Sequence, residues 1–231
     1  MVENLLGLAP LRLFIMVGAM RRKSRERIMA FRLIASVFIA LAVASAPALA
    51  CKGREVLFED KFQEEDPGWE QVSGLTMGGG KLELKPEEGK WDWSVYGGAA
   101  FKDADICADF VTPSARDATA AGLLFWSRGN DNWFALRINN QAEAQVLRLQ
   151  GENFLQPVTW RAAPALKKEP NSVNQVRVVL KGNTGSAFLN DKLLANFKGV
   201  PPLGGQFGII ASSVKGQSSG WAMTSIVITK P

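Results

Sequence analysis

Residues 121–139, AGLLFWSRGNDNWFALRIN, hold the stretch on which the fold turns. Two apolar, aromatic runs flank Arg128-Gly129-Asn130-Asp131-Asn132, a cluster of turn formers. Gly and Asn tolerate positive φ, and Asp and Asn side chains bond their own backbone, so the segment predicts a β-hairpin. Alternation assigns its faces. Leu123, Phe125, Phe134, Leu136 and Ile138 form one face, purely apolar. Leu124, Trp126, Arg128, Trp133, Ala135 and Arg137 form the other, mixing indoles with guanidinium groups as a half-open binding surface would. The expected register sets Arg128 across from Trp133, Trp126 across from Ala135 and Leu124 across from Arg137.

Outward from the hairpin, the same grammar continues. Val56–Phe62, Trp69–Val72, Lys81–Lys85, Trp93–Tyr96 and Ala104–Val111 are expected strands before it. Ala144–Leu149, Phe154–Trp160, Gln175–Lys181, Ser186–Leu189, Leu193–Phe197, Phe207–Ala211 and Met223–Thr229 follow it. Short runs separated by Gly, Pro, Asn and Asp turns predict an all-β sandwich or barrel. No stretch after Cys51 keeps a helical period for three turns. The roughly 180 residues from Cys51 to Pro231 suffice for a single two-sheet core.

The first 50 residues have a different character. They carry seven basic residues against Glu3 and Glu26, a net of +5 that equals the net charge of the whole chain. The segment 51–231 is therefore neutral, with 20 basic and 20 acidic residues. That removes the electrostatic case for a nucleic-acid partner. Met20–Arg32 forms a basic region, Leu33–Val43 an apolar run too short to span a bilayer, and Ala48-Leu49-Ala50 a cleavage site of small residues. Residues 1–50 are thus expected to be a signal-peptide region with an over-long start, translation beginning at Met20 or Met29. The protein is expected to be periplasmic or secreted.

Cys51 allows two readings. It could carry a lipid anchor, although Ala48 stands where the lipoprotein pattern wants Leu. Cys107 is the only other cysteine, and an exported chain with two cysteines beyond its cleavage site most simply pairs them. The Cys51–Cys107 disulfide is the favoured expectation.

Gly122-Leu123-Leu124-Phe125-Trp126 with Asn132-Trp133-Phe134, Asn174–Val178 continuing to Phe188-Leu189-Asn190-Asp191, and Gly205-Gln206-Phe207-Gly208-Ile209 together resemble the concanavalin A-like jelly rolls. The nearest resemblance is to the laminin-G-like and 3-keto-disaccharide-hydrolase-like domains of exported bacterial proteins. It covers nearly all of Val56–Thr229 and implies a two-sheet antiparallel sandwich with a curved sheet whose concave face often binds carbohydrate, in lectins and enzymes alike. Its motifs are structural and carry little chemistry of their own.

Chemistry is sparse. The chain has no histidine, which excludes imidazole bases, His triads and His metal sites. Glycoside hydrolysis commonly needs two carboxylates about 5–9.5 Å apart. Asp103, Asp105 and Asp109 share the face of Cys107, and Asp105 and Asp109 are the catalytic candidates, against the plainer expectation of a solvated outer face. The Glu-x-Asp-x-x-Glu pattern of family-16 glucanases is absent. No cofactor is expected; a loop calcium at Asn130, Asp131 and Asn132 competes with ordinary turn chemistry. The seven tryptophans all lie beyond residue 50, and an indole face suits stacking on a sugar ring. The ligand-binding candidates are Trp126, Arg128, Trp133, Arg137 and Trp93, with Trp91 beside Trp93 as a rim. The expected function is a non-catalytic carbohydrate-binding sandwich. A glycoside or 3-keto-disaccharide hydrolase and an envelope protein-interaction module are the alternatives.

Overall fold

The computed structural model describes residues 51–115, 117–201 and 204–231, so the expected leader lies outside the described residues. Among the described residues fourteen strands are present: β1 (Val56–Asp60), β2 (Leu75–Gly78), β3 (Lys81–Leu84), β4 (Trp91–Phe101), β5 (Ala104–Val111), β6 (Ala120–Ser127) and β7 (Asn132–Asn139). The remainder are β8 (Glu143–Gln150), β9 (Asn153–Ala162), β10 (Val173–Lys181), β11 (Thr184–Leu189), β12 (Lys192–Lys198), β13 (Gly205–Ser212) and β14 (Trp221–Thr229). All pairings between them are antiparallel. An eight-stranded sheet runs β12-β11-β10-β5-β14-β3-β2, with β1 also paired to β14, and a six-stranded sheet runs β4-β13-β6-β7-β8-β9. Two antiparallel sheets packed face to face make a jelly-roll sandwich.

Alternation fills the space between the sheets. Leu82, Leu84, Ile106, Ala108, Phe110, Val176, Val178 and Leu180 come from the larger sheet; Leu123, Phe125, Phe134, Leu136 and Ile138 come from the hairpin. Burying each of the Leu, Ile, Val and Phe side chains contributes about 1.5–3 kcal/mol. The turn chemistry also holds: Asn190 and Asp191 both take positive φ between β11 and β12. Asn174 fixes the Pro-containing stretch before β10, its amide donating to Lys167 O at 2.7 Å and its carbonyl accepting from Lys167 N at 2.8 Å.

Three expectations change. Trp69–Val72 is no strand; Trp69 makes a single bridge to Tyr96, while Leu75–Gly78 pairs with β3 as β2. The hairpin register is two residues from the one expected, with Leu124 opposite Ala135 and Phe125 opposite Phe134. A shift of two preserves the faces, so Leu124, Trp133, Ala135 and Arg137 still point together. Trp126 does not join them. Its φ is +48°, and beyond the Phe125–Phe134 pair the next link is Arg128 N donating to Asn132 O at 2.8 Å. One extra residue on β6 makes this a β-bulge, and the bulge turns the indole inward. Trp126 packs edge-on against Phe125, Phe134 and Phe197, with Nε1 donating to Lys102 O at 3.3 Å. Gly205 makes room, since a Cβ there would lie 2.6 Å from Trp126 Cα.

Cys51 is bonded to Cys107, with Cα atoms 5.6 Å apart. A thioether anchor would need the same Cys51 sulfur. A structural disulfide belongs to an oxidising compartment. Among the described residues no helix is long and apolar enough to cross a membrane.

Candidate ligand-binding face

The outer face of the six-stranded sheet is concave. Trp91 starts β4 at one edge and Phe154 lies on β9 at the other, with four strands between them. Laid flat, those strands would separate the edges by about 24 Å. The two rings nevertheless sit with centroids 5.5 Å apart. Two side chains cannot bridge such a span unless the sheet curls around this face.

The floor has two halves. Toward the β6–β7 turn, Trp133, Leu124, Ala135, Leu147, Leu149, Val95 and Ile210 form a second apolar cluster with Trp93 packed on it. Trp93 and Trp133 meet at 5.4 Å, and Trp133 and Phe154 at 6.3 Å. A cavity of about 320 Å³ opens at this end among Glu70, Val95, Gly97, Asn130 and Gln206, at the small end of the range for ligand pockets. The other half is polar, with Arg137, Asn139, Gln145 and Ser212 all buried. Arg137 is 2% exposed; its Nη2 donates to Ser212 Oγ at 2.8 Å. Its Cζ lies 3.9 Å from the Trp91 ring centroid and 5.5 Å from that of Trp160, a cation–π arrangement. Burial pushes its pKa down to about 9, so the group is charged at neutral pH and its desolvation opposes folding.

That cost makes a prediction. Arg137→Met removes a buried charge and keeps an apolar side chain of similar length. The variant is expected to gain about 1–4 kcal/mol in unfolding free energy at pH 7, by analogy with replaced buried ions. Urea denaturation of both proteins checks it; an equal or lower stability would show that the aromatic stack outweighs desolvation.

Of the expected binding residues, the structure brings Trp93, Trp133 and Arg137 to this face. Arg128 is exposed in the turn, and Trp126 is in the core. Phe154, Trp160, Gln145 and Ser212 were not expected here. The alternation of β8, in which Glu143 and Gln145 share parity with Leu147 and Leu149, could have pointed to Gln145. The two bulges in the β8–β9 pairing hide Trp160, because its parity to Phe154 cannot be counted through them.

Asp105 and Asp109 lie on β5, on the outer face of the other sheet. Both carboxylate oxygens of Asp105 are engaged by Arg177, Nε to Oδ1 and Nη2 to Oδ2 at 2.7 Å each. Asp109 accepts from Ser225 Oγ at 2.9 Å. Their companion Asp103 accepts from Gly182 N at 2.8 Å. Neither catalytic candidate faces the concave surface. In the Asn130–Asn132 loop, where a calcium competed with turn chemistry, the carbonyls serve the turn: Asn130 O accepts from Trp133 Nε1, Asp131 O from Gly151 N and Asn132 O from Arg128 N.

No protein-family model matches the chain, and no curated protein matches it. Solved structures do. A carbohydrate-binding module, CBM66, from Bacillus subtilis aligns at TM-score 0.57 and 15% identity over 68% of this chain and 94% of that one. A β-glucanase from Bacillus licheniformis aligns at 0.57 and 10% identity, over 77% and 99%. A Bacillus subtilis protein of unknown function with a galectin-like fold aligns at 0.59 and 11%, over 78% and 98%. At such identities the likeness shows the fold. The chain has a concanavalin A-like jelly-roll fold.

Proposed function

We propose that the protein is an exported, periplasmic or secreted carbohydrate-binding jelly roll whose ligand lies along the concave face of the six-stranded sheet. The observation that carries this reading is the set of partly exposed rings facing across the groove: Trp91 at 39%, Phe154 at 52% and Trp160 at 36% exposed. Flat apolar rings beside buried hydrogen-bonding groups suit a pyranose, which presents apolar faces and a polar rim. CBM66, which shares the fold, is a carbohydrate-binding module by name.

Binding without turnover is the better supported form of this reading. The six strands of the sheet contain two carboxylates, Asp92 and Glu143. Asp92 pairs opposite Ala211, a core residue, so by alternation the two point to opposite faces. A hydrolase of glycosides or 3-keto-disaccharides acting by paired carboxylates would need both on one face.

A glycan array followed by calorimetry tests the proposal. Wild-type protein is expected to bind a subset of glycans, and Trp160→Ala is expected to weaken that binding at least tenfold with the fold intact, as a lost stacking platform would. Undiminished binding in Trp160→Ala and Trp91→Ala alike would move the ligand off this face. Silence across a broad panel would favour a protein partner for the surface.

A further inference from the structure

Arg137 stands at the middle of the concave face without a counterion. No carboxylate among the described residues is paired with it. Glu143, the carboxylate of its face by alternation, accepts instead from Asn139 Nδ2 at 2.9 Å. Arg137 Nε is buried and has no acceptor. Directly opposite on β8 stands Gln145, 2% exposed, whose Oε1 is buried and has no donor. Ser212 Oγ takes one guanidinium N–H and itself donates to Ala120 O at 3.3 Å. A buried polar atom left unpaired is costly and calls for an explanation. Here a cationic donor and a neutral acceptor stand across from each other on adjacent strands, with two indoles against the guanidinium.

We infer that this half of the groove is built for a carboxylate-bearing sugar, a uronate residue of an acidic glycan. The proposal rests on the carbohydrate-binding reading and narrows it to one ligand class. A uronate supplies what the site lacks: an anion for Arg137, a neighbouring hydroxyl to donate to Gln145 Oε1, and a pyranose face for Trp91 or Trp160. Guanidinium–carboxylate hydrogen bonds are the strong, charge-assisted kind, and a planar fork favours them over a point charge. Trp91 is the movable part. It begins an edge strand, is 39% exposed and lies across the guanidinium, so its ring turns aside to let the carboxylate reach Nε.

Calorimetry with short oligosaccharides of galacturonate, guluronate and glucuronate, each against its carboxyl-reduced neutral counterpart, tests the inference. At least one acidic oligomer is expected to bind tenfold or more tightly than its neutral form. Arg137→Met is expected to erase that difference while melting no lower than wild type. Arg137→Lys, which keeps the charge and loses the fork, is expected to restore only part of it. Neutral oligomers binding as tightly as acidic ones, or a folded Arg137→Met with its preference intact, would overturn the inference and leave the carbohydrate reading standing. Failure of every oligosaccharide, acidic and neutral, together with a silent glycan array, would overturn both.

Discussion

Replacing Cys51 and Cys107 together by serine is expected to lower the unfolding free energy by about 4 kcal/mol. The two residues are 56 apart in sequence, and the chain-entropy model assigns about that value to a cross-link closing such a loop. For a domain of this size the loss corresponds to a fall in Tm of roughly 8–16 °C. Both cysteines are buried, but Cys51 Sγ lies 3.2 Å from Asp105 O and from Val227 O, and Cys107 Sγ lies 3.7 Å from Asp105 Oδ1, so the serine hydroxyls find acceptors and the lost cross-link dominates the cost. Thermal melts of the oxidised protein, the reduced protein and the double variant measure the effect. A double variant within 1 kcal/mol of wild type would mean that packing of residues 51–55 holds this edge without the cross-link.

The second large effect belongs to Asp105. Its carboxylate is 2% exposed and receives both arms of the Arg177 guanidinium as well as Lys52 N at 3.2 Å. Arg177 is itself buried, lies over the Phe188 ring at 5.0 Å and is held above its usual pKa by Asp105. Asp105→Ala would strand that guanidinium in a dry setting, and the expected cost is about 3–5 kcal/mol. Changing both partners, Asp105→Leu with Arg177→Met, is expected to recover most of that loss, because no unpaired charge remains. Denaturant curves of the single and double variants decide the matter. A mild Asp105→Ala would show that water reaches Arg177. The same curves bear on catalysis: a carboxylate that must hold an ion pair for the fold to stand is poorly placed to trade protons with a substrate.

Period-two alternation made most of the sandwich legible. Ile106, Ala108 and Phe110 against Asp105, Cys107 and Asp109 gave the two faces of β5, and the structure places them so. The disulfide was legible from the cysteine count and the expectation of export. Trp126 was not. A single residue at positive φ reverses the parity of its side chain, and neither Trp nor its neighbours signal a bulge. The space that accommodates it is left far along the chain, at Gly205. The candidate face was half legible for a related reason. Trp93, Trp133 and Arg137 follow from local alternation, but their meeting with Phe154 and Trp160 depends on how sharply six strands curl. Curl is a property of the whole sheet, and no single strand encodes it.

The disulfide also fixes an orientation. Cys51 joins the chain to the outer side of β5, and Lys230 N donates to Glu55 O at 3.0 Å. The chain therefore enters and leaves the sandwich on the eight-stranded side. The groove of Trp91, Arg137 and Trp160 opens on the reverse. A protein fused, immobilised or anchored through either end would present its aromatic groove outward, away from its support. On the proposed carbohydrate-binding reading, coupling through an added terminal tag should accordingly leave glycan capture undiminished, whereas coupling at Lys90, beside Trp91, should block it.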